Sequence, residues 1–304
     1  MRPKNEFKIP HIAFIEQALV SGLQMVPIPK RNPFNTTSKG IGEVIIDSYT
    51  KGAREIYLGV GGSATVDFGI GAIHALGVPI YDQNNNKFPP SAILRGGDIR
   101  NIKDIDYRIK VLPGLKLKML TDVDNPLLGP NGAVYVYAKQ KGATDEDLPV
   151  LESYMAKLSQ MAYKKSDGRI RLDDVPKMGA AGAIGAGLSG FVPCEFYNGI
   201  KLVAELSGLE EVIRDSDVVI TGEGAFDTQT LEGKTVSYVI KTGQKYGKRI
   251  IVICGIDKVP KETTKNLGIE VYDLGSRFSK EACFKKTEEC INTIISKEIK
   301  PTLI

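Results

Sequence analysis

The sequence predicts an α/β fold built from two α/β domains. Short apolar, β-branched runs alternate with amphipathic stretches along the chain, the pattern of strands interleaved with helices. Glycine, at 32 residues, is enriched at the ends of those apolar runs. The C-terminal third repeats strand, helix, strand, and so reads as a parallel array whose ligands sit at the carboxyl ends of its strands. With 304 residues and 42% hydrophobic side chains, the chain can bury one large core or two ordinary ones.

Taken in order, "HIAFIEQAL" opens as a strand, and "TSKGIGEVIIDSYTKGA" carries apolar residues at helical spacing with Gly52 just past its end. "REIYLGVGG" is a strand, "FGIGAIHALG" a helix of small residues ending at Gly77, and "DQNNNKFPPSAILRGGD" a loop. "LKLKMLTDVDNPLLG" alternates and then turns at Asn125-Pro126; "DEDLPVLESYMAKLSQMAYKK" is an amphipathic helix. The polar, Pro-terminated "KKSDGRIRLDDVPK" marks a domain boundary, giving domains at 1–175 and 176–304. Beyond it come a small-residue helix "GAAGAIGAGLSGF", a strand and glycine turn "SDVVITGEG", and a helix "TVSYVIKTGQKYG". Strands "KRIIVICG" and "GIEVYDLG" and an amphipathic helix around "CFKKTEECINTIISKEI" complete the chain.

Composition excludes several classes of function. Forty Lys and Arg against 36 Asp and Glu give +4 without a basic block, and Trp is absent, so neither a nucleic-acid surface nor a stacking platform is expected. Four scattered cysteines without a CxxC pair, and two histidines, argue against a zinc site or a disulfide framework. There is no apolar segment of a signal peptide and no run long enough to span a membrane, so a soluble, cytoplasmic protein is expected.

Four segments place carboxylates, hydroxyls or helix starts beside glycine. "GVGGSATVD" holds Gly61, Gly62, Ser63, Thr65 and Asp67; "TDVDNPLLG" holds Asp122, Asp124 and Asn125. "GAAGAIGAG" includes Gly182, and "TGEGAFDTQTLEGK" holds Glu223, Gly224, Asp227, Gln229, Thr230 and Lys234. Amides and hydroxyls for phosphate oxygens, a lysine for charge, and carboxylates for Mg²⁺ and a hydroxyl proton are the parts that phosphoryl transfer uses. No Walker A pattern occurs, and "GAIGAG" does not follow a strand as a dinucleotide fingerprint would. Each segment also has a plain structural reading. Asp122 and Asp124 can cap a turn, Glu223 and Asp227 can cap the following helix, and the glycines of 179–187 can serve close packing.

Together "GVGGSATVDFGIGAIHALG", "DVDNPLLGPNGAVYVYAKQKGA", "GAAGAIGAGL" and "VVITGEGAFDTQTLEGK" resemble, in order and spacing, the glycerate kinase family of the bacterial glycerate 2-kinase type. The resemblance implies a restriction-endonuclease-like domain and a flavodoxin-like domain facing each other across a cleft. It also implies ATP-dependent phosphorylation of D-glycerate to 2-phosphoglycerate with Mg²⁺. Carried over by motif, Asp67, Asp227 and Lys234 are the catalytic candidates, with Asp67 or Asp227 accepting the hydroxyl proton. Asp122 and Asp124 are the metal candidates. Gly61, Gly62, Ser63, Thr65, Asn125, Gly182, Glu223, Gly224, Gln229 and Thr230 are candidates for binding substrate or phosphate. D-glycerate and ATP are the expected partners, and self-association is compatible with the sequence.

The family pattern opens with roughly 75 further residues ahead of the matched part, which the resemblance implies form the first two strands of the doubly wound sheet. Without them, the C-terminal domain is expected to expose a strand edge and an apolar face. Phe68 stands where the family has Gly, Val66 where it has Asn, and Lys177-Met178 where Gly-Ala is usual. The alternative to a kinase is a catalytically impaired remnant that binds ligand as a regulatory protein.

Overall fold

The computed structural model describes residues 11–302 apart from 174, 229, 233 and 234. It divides into two compact units, Met1–Asn198 and Gly199–Ile304. The first contains β1 (His11–Glu16), α1 (Ala18–Ser21), α2 (Lys39–Thr50), β2 (Ala53–Gly59), α3 (Ile70–Ala75), β3 (Ile80–Asp82) and β4 (Ile102–Ile105). It continues with β5 (Lys116–Leu120), α4 (Ala133–Tyr137), α5 (Asp147–Lys165), α6 (Ile184–Ser189) and β6 (Cys194–Tyr197). The second unit contains α7 (Gly199–Leu206), α8 (Leu209–Asp215), β7 (Val218–Phe226), α9 (Thr235–Lys245) and β8 (Arg249–Asp257). After these come α10 (Lys261–Asn266), β9 (Ile269–Asp273), α11 (Lys280–Lys285) and α12 (Thr287–Ile294).

In the first unit, β1, β2, β5 and β6 form a four-stranded parallel sheet in that order, and β3 and β4 make a separate antiparallel pair. Ile56 and Leu58 of β2 and Leu117 and Met119 of β5 are buried in one core with Ile41 and Ile45 of α2 and Ile70 and Ile73 of α3. Helix α5 adds Leu148, Leu151, Met155, Leu158 and Ala162, a repeat of three and four residues that keeps one face inward. On the opposite face Tyr57 is buried, Glu55 and Lys118 are half-buried and Phe14 is exposed. There Lys118 Nζ donates to Glu55 at 2.6 Å and to the Tyr57 hydroxyl at 2.9 Å, while Phe14 of edge strand β1 stacks on Tyr57.

The division between units follows Asn198, not residue 175. The segment after 176 sends Ala183, Ile184, Leu188 and Phe191 into the first core, and β6 extends the first sheet beside β5. The polar stretch before it is a surface crossing inside one unit, held by Leu172 in the core and by a hydrogen bond from Ser159 to Asp173.

In the second unit, β7, β8 and β9 are parallel, as the C-terminal pattern predicts. Ile250 to Cys254 of β8 are all buried, which marks a strand covered on both faces. Strand β7 runs through "TGEG" to Phe226 and does not turn there. Gly222 allows this: a Cβ there would stand 2.2 Å from the Ile253 carbonyl oxygen of β8. The small-residue segment at 179–189 is a 3-10 turn (Ala180–Gly182) followed by α6, with left-handed backbone at Ala181 and Gly182 inside the turn and at Ala183 between the two. Among the described residues no helix is long and apolar enough to cross a membrane.

Candidate active site

Strands β1, β2 and β5 are neighbours and parallel, so the segments leaving their carboxyl ends meet above one edge of the first sheet. They line a groove of about 400 Å³ there, with Gly61, Gly62 and Ser63 after β2 and Thr121 and Asp122 after β5. Tyr137 of α4 and Lys141 of the following 3-10 turn close another side. Gly62 has φ +67°, which an L side chain seldom adopts, and among the described residues no hydrogen bond is made by the Gly61 or Gly62 amide. Both glycines are exposed, so these amides are open to an acceptor in the groove.

Lys141 enters the groove from beneath. Its side chain is buried, and Nζ donates to Ser63 Oγ and to the Thr65 carbonyl, each at 2.8 Å. Burial pushes its ammonium down to about 7, with nearby Asp67 acting the other way. Sequence alone does not single this residue out. "AKQKG" offers two equivalent lysines, yet Lys139 pairs with Asp145 in solvent while Lys141 turns inward.

The sequence-predicted residues separate into groups. Gly61, Gly62, Ser63 and Asp122 line the groove. Asp67 does not: it is 0% exposed, accepting from the Ser38 amide and hydroxyl on one oxygen and from the Gly69 amide on the other. Burial raises its carboxyl's affinity for a proton, against those hydrogen bonds. The geometry makes Asp67 a brace joining the start of α2 to the start of α3. Thr65 is buried behind the turn, and Gly182 packs on it: a Cβ at 182 would lie 2.0 Å from the Thr65 carbonyl oxygen. Asn125 donates to the Asn131 carbonyl and accepts from the Tyr137 hydroxyl, so it supports a groove wall. Asp124 turns outward, its side chain 79% exposed, and pairs with Lys177 Nζ at 2.6 Å.

In the second unit, Thr221, Glu223 and Gly224 line a groove of about 990 Å³ whose other walls are mostly apolar, including Ile220, Ile256 and Phe284, with Lys280 also lining it. The Glu223 Oε1 atom is buried without a hydrogen-bond partner among the described residues. Asp227 caps the 3-10 turn Thr230–Glu232, its Oδ1 accepting from the Thr230 amide at 3.0 Å; the capping expectation applies to Asp227, whereas Glu223 sits within β7. Gln229 and Lys234 lie outside the described residues. Asp227 thus belongs to a different unit from Asp67 and Asp122.

A family model described as "Glycerate kinase family" matches residues 4–300. The chain is 40% identical over 246 residues to a glycerate 2-kinase of Escherichia coli (strain K12), and 40% identical over 245 residues to a glycerate kinase of Bacillus subtilis (strain 168). Each match covers 80% of this chain and 63% of the relative, so the chain spans less than two thirds of their length. Among solved structures, one from Salmonella typhimurium LT2 described as a candidate glycerate kinase 2 aligns with TM-score 0.68 at 31% identity, covering 84% of this chain and 71% of that one.

Proposed function

Because the chain belongs to the glycerate kinase family, we propose that it phosphorylates D-glycerate at the 2-position with ATP. One observation supports this reading above the others: two open glycine amides, Ser63 and Asp122 converge at the carboxyl ends of adjacent parallel strands. The first unit then corresponds to the restriction-endonuclease-like domain, and the second to part of the flavodoxin-like one.

In this reading the Gly61–Ser63 turn and Asp122 form the substrate-facing side in the first unit. Asp67 acts by position, fixing the α2 and α3 starts behind that turn. Glu223, Gly224, Asp227 and Thr230, with Gln229 and Lys234, serve the nucleotide and the hydroxyl proton. Mg²⁺ fits the donor set in one form only. No cluster of three metal-ligating side chains occurs among the described residues, and Asp124 is engaged by Lys177. Asp122 would therefore hold the ion by a single carboxylate, the rest of its shell being phosphate oxygens and water. When bound, the ion neutralises charge on the transferring phosphoryl group.

The test is ADP release from ATP by the purified chain with Mg²⁺, dependent on D-glycerate, with the product identified by phosphorus NMR as the 2-phosphate. Release at the same rate without D-glycerate counts against the reading. Saturable D-glycerate binding without ADP release favours the ligand-binding alternative.

A further inference from the structure

Lys141 is a buried lysine that makes no ion pair among the described residues. Its side chain is 3% exposed, and among the described residues no carboxylate stands within ion-pairing distance of Nζ. Asp67, the acidic group that acts on it at range, has its oxygens engaged by Ser38 and Gly69. An ammonium shut away from water without a partner is costly, so unliganded Lys141 gives up its proton readily, and an anion beside it would restore the charged form. The groove beside it is where one can enter.

Donors outnumber acceptors at this place. Lys141 has three N–H groups and uses two, on Ser63 Oγ and the Thr65 carbonyl. Because Ser63 Oγ accepts from Lys141, its own proton points elsewhere, and among the described residues it donates to nothing. The Gly61 and Gly62 amides add two more donors at the rim.

Charge decides which anion fits. Among the described residues Lys141 is the only cation lining this groove, and Asp122 the only carboxylate. A carboxylate with a single charge is balanced by one ammonium. A triphosphate tail carries several negative charges, more than one lysine balances, and its phosphate end is matched by the ion that Asp122 would hold. We propose that Lys141 binds the carboxylate of a small hydroxy-acid substrate, with Ser63 donating to the same group. This rests on the reading of the groove as the acceptor-substrate site, and it assigns the nucleotide no contact with Lys141.

The experiment is titration calorimetry on the full 304-residue chain with D-glycerate, glycerol and ADP, for wild type, Lys141→Met and Lys141→Arg. Wild type should bind D-glycerate, with glycerol, which lacks the carboxylate, at least about 30-fold weaker. Lys141→Met should weaken D-glycerate by about 30-fold or more and leave ADP within about 3-fold, while Lys141→Arg retains part of the D-glycerate affinity. The ADP measurement shows that the Met variant is folded, and Lys141→Arg separates charge from shape.

Lys141→Met binding D-glycerate as wild type does, or losing ADP while keeping D-glycerate, overturns the assignment. So does a wild type that binds glycerol as well as D-glycerate, or binds neither. Failure of the kinase reading looks different: no ADP release, yet Lys141-dependent D-glycerate binding. Conversely, phosphoryl transfer with an unchanged KM for D-glycerate in Lys141→Met removes only the present assignment.

Discussion

Lys177 reaches the carboxylate of Asp124 at 2.6 Å from a backbone with φ +73°, a conformation glycine adopts without strain. The resemblance marked this as a position where the family has Gly, and the left-handed backbone supplies the physical reason. The ion pair is largely exposed on the Asp124 side and contributes at most about 1 kcal/mol. Strain at a non-glycine left-handed residue costs about 1–2 kcal/mol. Lys177→Gly should therefore be more stable than Lys177→Ala by about 1 kcal/mol in urea unfolding. Equal stability of the two variants would contradict the strain account.

Phe68 presents the opposite balance at φ +54°. Its ring is fully buried, so removing it leaves a cavity larger in effect than the strain relieved. Phe68→Gly is expected to lose about 2–4 kcal/mol in chemical denaturation. A stabilised Gly variant would show that backbone strain dominates at this site.

Asp67→Asn should lose stability by about 1–3 kcal/mol, since three donors from Ser38 and Gly69 lose a charged acceptor in a sealed site. Hydrogen exchange should show weakened protection of the Ser38 and Gly69 amides. An enzyme with native stability but no turnover would instead make Asp67 a participant in chemistry.

Lys141 also sets a pH dependence of stability. Its ammonium has an ordinary value of 10.5 and is held at about 7 in the folded chain. Between those values the unfolded chain binds the extra proton, so stability from this site rises with pH across that window and is lowest below pH 7. Lys141→Met removes the dependence. The Met variant should exceed wild type by a few kcal/mol at pH 6, with the gap narrowing towards pH 10. A gap independent of pH would be the contrary result.

The apolar walls of the second unit's groove bring a liability that can be measured. Phe284 is 77% exposed, and Ile220 and Ile256 each 46%. The chain should enhance the fluorescence of a hydrophobic dye, and Ile220→Lys with Phe284→Ser should reduce both the signal and concentration-dependent association. An unchanged signal would place the dye elsewhere.

What was legible in the sequence followed periodicity. The α2 helix ends before Gly52, at φ +103°, and α5 keeps its apolar face inward, because both features are local. The domain boundary was not legible: a polar, proline-bearing stretch looks the same whether it links two cores or crosses the surface of one. The "TGEG" segment misleads for a related reason, since its glycine is required by the neighbouring strand β8 and not by a turn. In the candidate site, the glycine turn with Ser63, and Asp122 after the next strand, are the sequence's candidates that line the groove, each at the end of an apolar run. The burial of Asp67 and Lys141 was not legible, because burial is a property of the assembled core and neither residue's neighbours in sequence report it.

The contact between Gly182 and the Thr65 carbonyl has a kinetic consequence. With Gly182 pressed on one side and Lys141 Nζ bonded to the same carbonyl, the loop carrying Ser63 is clamped before any ligand arrives. Little ordering is left to accompany binding, so association should approach the encounter rate and affinity should be governed by departure. The loop should act as a fixed socket, and a side chain introduced at 182 should loosen it without touching the ligand.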